Sequence, residues 1–297
     1  MTLKLAIVGY GNLGKSLEKE IAKCENAELV AIYSRRSLDS KKYRPLKQIG
    51  NDSDFDIALL ALGSYNDIME YAPLFEKLDT VDSFDTHAKI VEYKNQLNRA
   101  KTDSLAIIST GWDPGLLSLA RGVFSVGADR CATLWGEGVS QGHSNAIRNV
   151  RGVIDAVQFT KPKENALELI EKGVTDGTKL HDRICYVACV EQDRKSVEKQ
   201  IVEMPNYFAD YDTTVIFCTQ QEVRELRMRT GHRGQVVCHG EGFCAKTDVR
   251  LDCNTDYTAK IMLRYAKAIP QLKKDGFRGA LDVFDIPMRY LADKNLI

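Results

Sequence analysis

The sequence has no surplus of charge: 41 Lys and Arg stand against 41 Asp and Glu in 297 residues. A chain that binds nucleic acid or a membrane surface along its length needs a basic excess. Neither role gains support, and any anion recognition must be local. No apolar run approaches the roughly 18 residues that span a bilayer. The first strand begins at once, with no secretory signal ahead of it, so the expected location is the cytoplasm. The eight cysteines, at 24, 131, 185, 189, 218, 238, 244 and 253, include no Cys-x-x-Cys pair. Zinc ligation and a disulfide framework are therefore set aside. Several cysteines lie in apolar runs and read as small core residues of a reducing compartment. No His, Cys, Asp or Glu spacing suggests a metal site, and no repeat or low-complexity segment is present.

What is present is enough apolar sequence, 44%, for substantial cores, at a length that usually divides into two domains. The first motif is Leu5-Ala6-Ile7-Val8-Gly9-Tyr10-Gly11-Asn12-Leu13-Gly14. An apolar strand breaks at Gly9, and a helix follows Gly14, with Leu13, Leu17, Ile21 and Cys24 on one face. Gly9-x-Gly11-x-x-Gly14 in this setting is a dinucleotide fingerprint: the first glycine turns the chain, the second admits a pyrophosphate, and the third packs the helix. Free N–H groups at the helix start bind the phosphates. Gly9, Tyr10, Gly11, Asn12, Leu13 and Gly14 are thus candidate cofactor residues.

The next strand, Glu28–Tyr33, ends in Ser34-Arg35-Arg36. An enzyme of this kind that uses NAD places an acid there for the ribose 2′-hydroxyl, and no carboxylate occurs until Asp39. A hydroxyl followed by two guanidinium forks suits a 2′-phosphate, so the expected cofactor is NADP. Residues 37–55 are polar and do not place a third strand clearly. Ile57–Leu62 resumes as a buried strand that ends at Gly63-Ser64, which should face the cofactor; an ordinary strand-to-helix turn is the other reading. Helices are expected near Ile68–Leu78 and Ala88–Lys101. Short strands at Thr80–Ser83 and Leu105–Thr110 lead into Phe84-Asp85 and Gly111-Trp112-Asp113-Pro114-Gly115. Asp85 and Asp113 therefore share one address, the carboxyl end of the sheet. Each alone also fits a cap or turn.

From Arg130 the strand–helix alternation stops. Cys131–Trp135 reads as a strand and Gly136–Ser144 as a glycine-rich loop, with extended runs at Val153–Thr160, Arg183–Val190, Thr213–Cys218, Gln235–Cys238 and Thr247–Leu251. The fold class expected is α/β: a Rossmann-type doubly wound parallel sheet with a second α+β domain built on a mixed sheet. Residues 1–116, completed by 255–297, form the dinucleotide-binding domain. Residues 117–254 form the second, substrate-binding and dimerisation domain. A helix from Asn254 or Thr255 to about Lys273 opens the tail that packs back on the first domain.

Taken together, Ala6–Gly14, Ser34–Arg36, Val81–His87, Ser109–Gly115, Trp135–Ser144, Met204–Phe208 and Leu251–Asn254 resemble the meso-diaminopimelate D-dehydrogenases over nearly the whole chain. The glycine turn is generic. Ser-Thr-Gly-Trp-Asp-Pro-Gly and Ser-Gln-Gly-His-Ser are not. The resemblance implies reversible, NADP-dependent oxidative deamination at the D carbon of meso-2,6-diaminopimelate. The products are L-2-amino-6-oxopimelate, which cyclises to tetrahydrodipicolinate, and ammonia, on a route to lysine and cell-wall precursors. It also implies a homodimer. By this resemblance Asp85 and Asp113 are the carboxylates at the reacting amino group, with Trp135 and Gln141-Gly142 around that end and Trp112 counted among the substrate contacts. Thr160, Arg183, His232 and Asn254 hold the distal L end. The chain departs from the family pattern at Asn145, where an acid is usual, at Glu137, where proline is common, and in a shorter loop before His232.

Two other readings compete. Another NADP-dependent reductase of a lysine-pathway intermediate, or of other D-amino acids, needs its own substrate-gripping segment; the basic one typical of dihydrodipicolinate reductases is not found. A non-catalytic NADP sensor has no need to keep Asp85, Asp113 and Arg183 together.

Overall fold

The computed structural model describes the chain except for residues 1, 53, 64–66, 137, 229, 230 and 293–297, and the side chain of Ala88. In chain order the first elements are β1 (Leu3–Val8), α1 (Asn12–Ala22), β2 (Ala27–Ser34), β3 (Tyr43–Pro45), β4 (Ile57–Leu60), α2 (Asp67–Tyr71), β5 (Asp79–Asp82), α3 (Ile90–Ala100), β6 (Leu105–Ile107) and α4 (Leu116–Ser125). Next come β7 (Arg130–Gly136), β8 (Gly138–Val139), α5 (Gln141–Arg148), β9 (Val153–Pro162), α6 (Ala166–Glu171), α7 (Gly177–Leu180) and β10 (His181–Cys189). The chain continues through α8 (Arg194–Val202), β11 (Asp212–Phe217), α9 (Gln220–Arg227), β12 (His232–Gly240) and β13 (Phe243–Leu251) to α10 (Asn254–Lys274) and β14 (Gly279–Leu281). Two compact units result: residues 1–119 with 255–297, and residues 120–254.

The first unit carries a seven-stranded sheet in the order β14-β6-β5-β4-β1-β2-β3, with every pairing parallel. Parallel strands need crossovers that cover both faces, and the apolar residues divide accordingly. Leu5, Ile7, Leu59 and Ile107 pack with Leu17 and Ile21 of α1 and with Met262, Ala266 and Ile269 of α10. Ala6, Val8, Ala58 and Leu60 pack on the other side with Ile68, Phe75, Tyr93 and Leu97. This is the doubly wound Rossmann arrangement. The helix expected near Ile68–Leu78 is shorter: α2 ends at Tyr71 and a 3-10 turn, Ala72–Phe75, follows. Pro73 has no N–H with which to continue the α ladder.

The second unit holds a four-stranded sheet, β11-β10-β9-β8, and a three-stranded one, β13-β12-β7. Parallel pairing occurs between β10 and β11; the other pairings of these two sheets are antiparallel. It is therefore a mixed-sheet α+β unit. The cysteine expectation fails at one pair. Cys131 and Cys238 stand directly opposite in the β7–β12 register and are joined by a disulfide. Pairing across 107 residues follows from strand register, which Cys spacing does not reveal. Cys185, at 0% exposure, is the small core residue anticipated.

Candidate functional site

The glycine turn has the backbone geometry that its spacing predicts. Gly9 has φ +93°, and a Cβ there would lie 2.5 Å from the Ala61 carbonyl oxygen. A Cβ on Gly14 would lie 2.2 Å from the Gly9 oxygen, whereas one on Gly11 would meet nothing within 4 Å. Gly9 and Gly14 are thus sterically required, and Gly11 leaves open backbone for a phosphate. A cleft of about 420 Å³ is lined by Gly9, Tyr10, Gly11, Ser34, Arg35, Arg36 and Gly63, among others. Asn12, Leu13 and Gly14 form the first turn of α1. Ser64 lies outside the described residues.

At the far wall the Ser34 hydroxyl accepts the Arg36 backbone N–H at 3.1 Å. Arg35 donates to both carboxylate oxygens of Asp67, at 3.1 and 2.7 Å. Asp67 was not anticipated by sequence, because a helix-start acid looks like any cap. Arg36, whose backbone N–H is bound to Ser34, makes no side-chain hydrogen bond among the described residues. A hydroxyl, one held guanidinium and one uncommitted guanidinium, with no acid at the end of β2, fit a ribose carrying a 2′-phosphate.

The two aspartates follow neighbouring strands. Asp85 is exposed, three residues past β5. Asp113 lies in a turn whose peptide bond to Pro114 is cis. The Asp113 carboxylate accepts the Ser118 hydroxyl at 3.2 Å. Gly115 closes the turn at φ +134°, with its would-be Cβ 1.8 Å from the Gly111 oxygen, so no side chain fits there. Trp112 anchors the same turn through its backbone: its carbonyl accepts the Leu117 N–H at 2.8 Å.

In the second unit, strand register assembles the other candidates. Gly138, Thr160 and Arg183 occupy one cross-strand row over β8, β9 and β10. The Arg183 guanidinium donates to the Thr160 hydroxyl and lies 4.0 Å from the Tyr211 ring centre. Arg183 is 7% exposed. It has no carboxylate partner among the described residues, and its Nε–H is unsatisfied. Burial lowers its pKa from the ordinary value. A buried cation of this kind calls for an anion.

His232 joins the row. Its Nε2 lies 3.2 Å from the Val139 oxygen, and a Cβ on Gly138 would lie 2.6 Å from its ring. Gly138 is thus a shape requirement that the glycine-rich stretch concealed. Trp135 pairs with Gly234, two residues beyond His232 on β12, so alternation directs both side chains to one face. The Trp135 N–H donates to His181 Nε2 at 2.9 Å, which leaves His181 Nδ1–H to donate to the Gly177 oxygen at 2.8 Å. His181 is therefore a structural, neutral histidine.

Gln141 and Gly142 depart from the expected loop: they are the exposed first turn of α5, capped by the Ser140 side chain. The Gln141 side chain makes no hydrogen bond to the Arg183 row among the described residues. Asn254 is the first residue of α10, three positions beyond Leu251, the cross-strand partner of His232. Tyr211, under Arg183, has no sequence signal, because nothing local ties an aromatic before β11 to an arginine in β10.

Residues 111–256 match the family model described as the diaminopimelic acid dehydrogenase C-terminal domain. The chain is 40% identical to the meso-diaminopimelate D-dehydrogenase of Acetivibrio thermocellus, over 99% of this chain and 95% of that one. It is 37% identical to the enzyme of the same name from Corynebacterium glutamicum, over 99% and 97%. Among solved structures, the C. glutamicum DAP dehydrogenase in complex with DAP superposes with a TM-score of 0.92 at 37% identity, over 100% of this chain and 98% of that one. An engineered D-amino acid dehydrogenase bound to NADP+ gives 0.87 at 36% identity, over 100% and 98%. With the cofactor cleft, the aspartate turns and the Arg183 row on the same chain as these matches, the chain belongs to the meso-diaminopimelate D-dehydrogenase family.

Proposed function

We propose that the protein catalyses the reversible, NADP-dependent oxidative deamination of the D centre of meso-2,6-diaminopimelate, releasing ammonia and L-2-amino-6-oxopimelate. The observation that carries this reading is the buried Arg183 guanidinium, paired with Thr160 and lacking a carboxylate partner among the described residues. It suits the distal carboxylate of a substrate with two amino-acid ends. Gly9, Gly11, Ser34, Arg35 and Arg36 hold the cofactor, which supplies the hydride acceptor when bound.

The chain's own residues handle charge and protons. Hydride leaves the D carbon only when its nitrogen offers a lone pair, so the ammonium first loses a proton. Asp85 and Asp113 orient that ammonium and take the proton, directly or through water. The hydroxyl of Ser118 donates to one Asp113 oxygen and so helps to orient that carboxylate. Trp112, Trp135 and the start of α5 at Gln141-Gly142 complete the reacting end in this reading. His232 and Asn254 complete the distal one.

A panel of stereoisomers, followed by NADPH absorbance, tests the assignment. Turnover of the meso but not the LL isomer is expected. Equal turnover of both, or NADP binding without turnover of either, refutes it; the second outcome is what a sensor gives. A homodimer and a cytoplasmic location belong to the same reading. The first is supported by the family resemblance, the second by dependence on an intracellular cofactor. Light scattering and cell fractionation check them.

A further inference from the structure

The last residue of β5, Asp82, is an ionisable group at 0% exposure that the chemistry above does not use. Its Oδ1 accepts two backbone N–H groups, from Phe84 at 2.9 Å and from Ser109 at 3.0 Å. Its Oδ2 accepts the Tyr93 hydroxyl at 2.9 Å. Its own carbonyl accepts the Thr110 N–H at 3.0 Å and the Thr110 hydroxyl at 2.8 Å. The Tyr93 ring in turn lies 4.6 Å from that of Phe84. Burial pushes the carboxyl up to about 6, the cost of holding a charge in this place.

Phe84 immediately precedes Asp85, and Ser109-Thr110 lead directly into the turn that carries Asp113. One carboxylate oxygen therefore clamps both loops at their roots. Ser109 needs the clamp: it is a non-glycine residue at φ +58°, a conformation that requires support from its surroundings. The loops also run close together: a Cβ on Gly111, if present, would lie 3.8 Å from that of Ser83.

We propose that Asp82 is a positioning residue for the reaction, tying the two loops together so that Asp85 and Asp113 act as a pair. This inference rests on the function proposed above. An amide at position 82 keeps the oxygen that accepts from Phe84 and Ser109 and turns its NH2 to the Tyr93 oxygen, whereas a methyl keeps neither.

The test compares Asp82→Ala with Asp82→Asn in steady-state kinetics and amide hydrogen exchange. Asp82→Ala is expected to lower kcat at least about 100-fold, the usual effect of displacing a reacting group by about 1 Å. The KM for NADP should stay within about threefold, because the cofactor cleft does not depend on these loops. Exchange should quicken at Phe84, Ser109 and Thr110 together. Asp82→Asn should keep kcat within about tenfold and leave exchange slow. An alanine variant with wild-type kcat, equal losses in both variants, or loosening of one loop alone overturns the proposal. If the alanine variant does not fold, Tyr93→Phe decides. It should lower kcat about three- to tenfold with faster exchange in both loops, since one of three donors is lost; wild-type kcat and exchange in it overturn the proposal. Wild-type protein that binds NADP but does not oxidise meso-diaminopimelate refutes the assigned reaction, while the exchange measurement still judges the clamp.

Discussion

Arg183 stands directly opposite Thr160 in the antiparallel pair of β10 and β9, and its guanidinium donates to the threonine hydroxyl. The pair fixes a buried positive charge at a defined point of a sheet without neutralising it. A charge-assisted contact to a substrate carboxylate then contributes about 1.5–3 kcal/mol. Arg183→Met should raise the KM for meso-diaminopimelate by about 10- to 100-fold and that for NADP by less than about threefold. Thermal stability should hold or rise, because a buried unpaired cation is replaced by an apolar chain of similar length. Kinetics with each substrate varied in turn, together with a melting curve, check this. A lowered melting temperature with both KM values raised equally shows Arg183 to be structural.

Arg36 is the guanidinium at the cofactor cleft that makes no side-chain hydrogen bond among the described residues, while Arg35 is held by Asp67. Arg36→Ala should lower kcat/KM for NADP about 10- to 100-fold and change that for NAD by less than about threefold, since only NADP carries the phosphate that the fork reads. The ratio of the two coenzyme efficiencies is the readout. An unchanged ratio assigns Arg36 to solvent.

His143 predicts a pH dependence. Its Nδ1 bonds to the Ser140 hydroxyl, and its ring packs edge-on against Tyr207 and Phe208, 5.4 and 5.7 Å between centres. Burial, with the nearby charge of Arg183, pushes it down to about 3 from an ordinary value of 6.5. Below pH 6.5 the unfolded chain takes up a proton that the folded chain refuses. The stability associated with neutral His143 is therefore complete above about pH 6.5 and is lost as pH falls toward 3, at up to about 1.4 kcal/mol per pH unit. Urea titrations of wild type and His143→Gln from pH 7 to pH 5 should diverge in that sense. The imidazole NMR signals should stay flat over the same range. A His143 resonance titrating near 6.5 contradicts the prediction.

Much of this was legible in the chain because the features are local. Glycine spacing shows the phosphate turn, and the serine and arginines that close β2 show the coenzyme. Strand ends place Asp85 and Asp113. What escaped depends on contacts remote in sequence or on very short elements. β3 has three residues, too few for a period, and α4 begins at Leu116, directly after the Asp113 turn, whose glycines and proline hide its start. The stretch at Gln141 looked like a loop because three glycines surround it, yet Ser140 caps a helix there. The disulfide arises from register between distant strands, while Tyr211 beneath Arg183 and the steric demand at Gly138 arise from contacts between segments remote in sequence. Asp82 was hidden by its position, since a lone acid at the end of a short strand carries no local sign that two other loops converge on it.

β14 lies at the edge of the first sheet, beside β6, although some 170 residues separate the two in sequence. The consequence concerns synthesis. A ribosome delivers β1 to β6 first, then the whole of residues 120–254, and only afterwards α10 and β14. The unit begun first is therefore completed last. Until Met262, Ala266 and Ile269 emerge, Leu5, Ile7, Leu59 and Ile107 have only Leu17 and Ile21 of α1 over that face, and the nascent chain must carry the uncovered remainder while the second unit is made.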